Sequence, residues 1–146
     1  MHTSPRGLVP FLALLFGTMT VAVSAQPVVK KGPPPITSPA SGAEMYTAYC
    51  AACHGVNGKG DGPAAAALKT PPTNLTLLTA KNNGKFPSAE VYTAIKGDTG
   101  TPVAAHGTVD MPVWGTMFNS MSHSDPSEVH LRLANLVHYI EAIQVK

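Results

Sequence analysis

The chain has 146 residues, which suits one domain, and its ten Lys and Arg stand against eight Asp and Glu for a formal net charge of +2. Only 12% of it is charged, and no basic patch of the kind that binds nucleic acid or a membrane surface is present, so both roles are excluded. Any protein partner must then be recognised mainly by shape and apolar contact.

The amino terminus reads as an export signal over residues 1–25. His2 and Arg6 precede an apolar stretch from Leu8 to Val23, and Val23-Ser24-Ala25 is a small-residue cleavage site that would leave Gln26 first. The stretch holds Pro10 and Gly17 and is shorter than the roughly 20 residues of a spanning helix. Periplasmic or other export is expected, with membrane attachment only if the signal is retained as an anchor. Residues 26–40 are rich in proline and aperiodic, and they read as a linker or tail that cannot build a core. The folded domain is expected over residues 41–146. There the charges nearly cancel, because Arg6, Lys30 and Lys31 fall outside it.

A first helix is expected from about Gly42, with Met45, Tyr46 and Tyr49 near one face. It runs into Cys50-Ala51-Ala52-Cys53-His54, which holds both cysteines of the chain in the CxxCH spacing of covalent c-type haem attachment. On a helical turn, residues three and four apart share a side, so Cys50 and Cys53 can reach two haem vinyl groups while His54 reaches the iron. Competing readings explain less. A thioredoxin-type pair wants a βαβ framework that the apolar pattern does not offer. A zinc site lacks a second closely spaced ligand pair among His106, His123, His130 and His138. A Cys50–Cys53 disulfide would close a very small loop and leave His54 unexplained.

With Gly42-Ala43-Glu44-Met45-Tyr46 ahead of the motif, the chain resembles the class I cytochromes c, which carry a Gly and an apolar-aromatic pair in this place. The resemblance implies a small cytochrome c fold of about three to five short helices and long loops round one covalently bound haem c. It also implies a crossing of the first and last helices, with Gly42 and Tyr46 on one side and Leu136 and Tyr139 on the other. Pro63, at the end of the glycine-rich run Gly55 to Pro63, matches the proline whose carbonyl holds the proximal histidine's other ring nitrogen. The run is neither GxGxxG nor a Walker loop, so phosphate binding is not expected.

Farther on, Ser88 to Lys96 reads as a short helix capped by Ser88 and ended by Gly97. Met111-Pro112-Val113-Trp114-Gly115 looks like the MPxWG distal loop of small bacterial class I cytochromes, which makes Met111 the distal iron ligand and packs Trp114 beside the haem. Met117, Met121 and His106 are the other ligand candidates, and Met45 reads as core. In the last helix Asp125 caps, Pro126 takes the first position and Glu128 completes a capping-box pattern. Val129, Leu133, Leu136, Val137 and Ile140 follow the 3.6-residue period.

No long alternating strands occur, so the expected class is all-α with long loops. The haem must serve as part of so small a core, which leaves the apoprotein poorly folded. Iron with both axial positions filled by protein offers no site for a substrate, and the expected function is single-electron transfer between a protein donor and acceptor, without enzymatic activity. The alternatives are a haem enzyme or gas sensor with a displaceable distal ligand, and an electron-delivering subunit of a dehydrogenase or terminal oxidase.

Overall fold

The computed structural model describes residues 34–97 and 111–145; the signal segment, the first part of the proline-rich stretch and His106 lie outside the described residues. Those described are helical with long connections and include no strand, in agreement with the all-α expectation. None of their helices is long and apolar enough to cross a membrane.

The Ser41 side chain accepts from the Glu44 N–H and starts α1 (Gly42–Met45), which passes through a π-helical turn (Tyr46–Cys50) into α2 (Ala51–His54). Short 3-10 turns at Ala65–Ala67 and Leu75–Leu77 precede α3 (Leu78–Lys81), followed by α4 (Ser88–Lys96), α5 (Trp114–Met121) and α6 (Pro126–Ala142). Ser88 proves to be the first residue of α4 and not its cap. The Phe86-Pro87 turn has already taken its N–H, which donates to the Phe86 carbonyl, and Pro87 occupies the cap position. Gly97 ends the helix in the left-handed region, as its residue type predicts.

The core lies where α6 meets α1, α4 and α5. Leu133, Leu136, Val137 and Ile140 of the α6 stripe are buried, with Val129 packed against them, and Met45, Tyr46 and Phe118 are fully enclosed from the other side. At the α1–α6 crossing, a Cβ on Gly42 would fall on the Asn135 carbonyl and within 2.9 Å of Tyr139 Cβ. Only glycine lets the two backbones come this close. The Tyr46 and Tyr139 rings meet beside it with centroids 5.0 Å apart.

Two further expectations need correction. The capping box of α6 is incomplete: the Asp125 side chain accepts from the Ser127 N–H, but Glu128 turns to Ser122 and Arg132, while the Asp125 N–H donates to the Ser122 carbonyl. A charged donor close by outcompetes a neutral backbone N–H for the carboxylate. The described part of the proline-rich stretch is also no loose tail. Thr37 is buried, the Pro35 carbonyl accepts from the Tyr49 hydroxyl, and the Pro39 carbonyl accepts from Asn135. Residues 35–39 form a strap laid over α1 and α6, tied through backbone carbonyls that proline retains.

Candidate haem-attachment site

Both cysteines and His54 come from one continuous helical run. Cys50 ends the π-helical turn, and Cys53 and His54 close α2. Cys50 is buried, Cys53 and His54 are half-buried, and the two thiols are free, so the disulfide alternative is not what the structure contains. Burial, followed by the nearby Cys53, pushes the Cys50 thiol up to about 12. It is therefore a neutral thiol and not the low-pKa thiolate of a redox-active CxxC pair.

The chain beyond α2 folds back to satisfy the helix end. The Gly60 N–H donates to the His54 carbonyl at 2.8 Å, the Gly62 N–H to the Cys53 carbonyl at 3.1 Å and the Ala64 N–H to the Ala52 carbonyl at 2.9 Å. Gly55, at φ +77°, makes the turn that permits this return, and the Tyr46 hydroxyl donates to its carbonyl at 2.7 Å. The glycine-rich run is thus a backbone cap on the helix that carries the motif, in a way its composition does not announce.

His54 Nδ1 lies 3.0 Å from the Thr73 carbonyl. A carbonyl only accepts, so Nδ1 carries the proton and Nε2 is left with its lone pair available to a metal. Burial lowers the imidazole's pKa against the opposing pull of the Thr73 bond, which favours the neutral ring that ligation requires. The partner is a correction. The structure gives to Thr73 the role expected of Pro63, which sits exposed in the connection after the cap. Thr73 reaches the ring because Pro72 packs against the glycine return at Gly60, and Asn74 begins the next 3-10 turn by accepting from Thr76. Sequence reading missed it because a backbone carbonyl leaves no side-chain signature.

In the loop expected to supply the distal ligand, Met111 is half-buried and packed on the core, and so is Trp114, the first residue of α5. The Trp114 ring lies 5.1 Å from that of Tyr49, the residue before Cys50, which brings the distal loop against the attachment helix. Two other methionines have engaged sulfurs: Met121 Sδ is 3.6 Å from the Tyr49 hydroxyl, and Met45 Sδ is 3.9 Å from Arg132 Nη1. Met117 is half-buried on α5.

Two thiols and an imidazole held by Nδ1 are the donor set a covalently attached haem requires, so the residues fit that group. Among the described residues no group of three or more His, Cys, Asp or Glu is placed to hold a metal ion by itself.

The family model for cytochrome c matches residues 39–144. No curated protein and no solved structure matches the chain. The chain belongs to the cytochrome c family, which implies one covalently bound haem c.

Proposed function

We propose that this member of the cytochrome c family is an exported carrier of single electrons between two protein redox partners, and that it is not an enzyme. Cys50 and Cys53 form the thioether links, His54 Nε2 is the proximal ligand and Met111 the distal one. The observation that carries the reading is the bond from His54 Nδ1 to the Thr73 carbonyl, since it orients the ring and selects the tautomer with a free Nε2.

The haem supplies an iron centre that cycles between ferric and ferrous states. The chain's own residues do the rest. Thr73 increases the basicity of His54 as a ligand through the Nδ1 bond, and a soft methionine thioether favours the ferrous state. Trp114, packed on Tyr49, keeps water from that side of the site. With His54 Nε2 and Met111 both holding the haem, the chain would leave its iron closed to exogenous ligands. Partners would be bound mainly by apolar contact: Val56, two residues after His54, is 71% exposed, and Val113, two residues after Met111, is 49% exposed.

A redox titration of the purified holoprotein, followed by its visible spectrum, tests the proposal. A reversible one-electron couple with a six-coordinate c-type spectrum, and ferrous protein indifferent to carbon monoxide, are expected. Rapid carbon monoxide binding by the wild type would replace the carrier with a haem enzyme or gas sensor.

A further inference from the structure

Arg132 is a charged side chain only 3% exposed, in the middle of α6. Its Nη2 and Nε donate to Glu128 Oε1 at 2.8 and 3.1 Å, and its Nη1 donates to the carbonyl and hydroxyl of Thr37 at 3.0 and 3.2 Å. An ion pair whose Glu128 end is 34% exposed gives little net stability, so its structural consequence is of more interest than its energy. That consequence is directional. Arginine has no acceptor, so Thr37 Oγ1 accepts from Arg132 and keeps its proton and second lone pair for the Tyr49 hydroxyl, 2.8 Å away. The Pro35 carbonyl at 2.7 Å can only accept and takes the Tyr49 proton in preference to Met121 Sδ at 3.6 Å, so the Tyr49 oxygen accepts from Thr37. The guanidinium fixes the place of Thr37 Oγ1, and the Pro35 carbonyl fixes the direction of the bonds at Tyr49.

The far end of the relay is the distal side of the site. The Tyr49 ring packs on Trp114 at 5.1 Å and on Phe118 at 5.8 Å, and Trp114 and Phe118 themselves lie 5.8 Å apart. Trp114 is three residues from Met111. We propose that Arg132, Thr37 and Tyr49 are positioning residues that clamp the start of α5, so that the strap over residues 35–39 holds the distal loop closed. Loosening the clamp would let Met111 leave the iron more often without changing any ligand. This consequence rests on the Met111 assignment; the clamp on Trp114 does not.

The test uses the full holoprotein with Thr37→Val and Tyr49→Phe, which each remove one hydroxyl and keep the bulk. Thr37→Ser restores the hydroxyl, and Tyr92→Phe is the control, since it removes a hydroxyl bonded to His130 on an exposed part of α6. Two quantities are read: amide hydrogen exchange over residues 114–118, and the rate of carbon monoxide binding to the ferrous protein. Thr37→Val and Tyr49→Phe should raise both by about tenfold, the factor that corresponds to losing one buried hydrogen bond. Thr37→Ser and Tyr92→Phe should remain near wild type. Exchange that is unchanged in the first two variants, or raised equally by Tyr92→Phe, overturns the clamp. The near-infrared band of the ferric wild type separates the two assignments: without it the Met111 reading falls, and exchange alone decides the clamp. With the band present and exchange raised, carbon monoxide binding no faster than wild type would overturn the link from clamp to ligand.

Discussion

The Tyr46 hydroxyl donates to the Gly55 carbonyl at 2.7 Å while the Tyr46 ring packs on Tyr139. One fully buried side chain thereby connects the α1–α6 crossing with the residue that follows His54. Burial, the main cause, moves its phenol well above the usual tyrosine range. Tyr46→Phe keeps the ring contact and leaves the Gly55 carbonyl with the Gly58 N–H as its remaining donor, at a cost of about 0.5–1.5 kcal/mol. Urea unfolding of the holoprotein should show it, and an unchanged midpoint would mean that water replaces the hydroxyl.

Gly42 acts through packing alone. Gly42→Val would drive side-chain atoms into the Asn135 carbonyl and Tyr139 Cβ, an overpacking change of about 1–3 kcal/mol or more. The melting temperature should fall with the visible haem spectrum intact. A variant as stable as wild type would show that the helices separate at little cost.

Cys50→Ala or Cys53→Ala should give little mature holoprotein, because under the proposed assignment each thiol would supply a bond to a cofactor that completes the core. His54→Ala should be at least as damaging, as no other side chain at the required spacing can replace the proximal nitrogen. Pyridine haemochrome assay of the purified variants measures the yield. Normal amounts of spectroscopically normal protein from both cysteine variants would defeat the attachment assignment.

Met111→Ala should abolish the weak near-infrared band of methionine-ligated ferric haem, lower the reduction potential and open the ferrous iron to carbon monoxide. Met121→Ala should leave all three near wild type, because its sulfur already faces the Tyr49 hydroxyl. Loss of the band in Met117→Ala or Met121→Ala, with the band retained in Met111→Ala, would move the ligand and preserve the carrier function.

Hydrogen bonds from Arg132, then Ser122, hold the Glu128 carboxyl below its ordinary range. A carboxylate with a depressed folded pKa contributes stability that is present above its unfolded value and is lost as pH falls through the lowered folded value. The wild-type melting temperature should accordingly decline on acidification below about pH 5, and Glu128→Gln should lower it at neutral pH while flattening that decline. Parallel pH profiles for the two proteins would show that Glu128 contributes nothing to the acid limb.

The sequence by itself determined the helical class, the attachment motif and the stripe of α6, because each is written in side chains at a fixed local spacing. Cys50, Cys53 and His54 lie within one turn and a half of helix, and Leu133, Leu136, Val137 and Ile140 repeat at the helical period. Gly42 and Tyr139 were legible through a family pattern. Tertiary structure alone decided what depends on backbone groups or on residues far apart in the chain. The Thr73 carbonyl that orients His54 lies 19 residues away and belongs to the main chain, which every residue shares. Thr37 and Arg132 are 95 residues apart, and nothing in a proline-rich segment tells that its carbonyls will be bonded by a buried arginine. Glu128 shows the limit at short range. Its spacing from Asp125 satisfies the capping-box pattern, but an arginine one turn later on the same helix offered a charged donor and took the carboxylate.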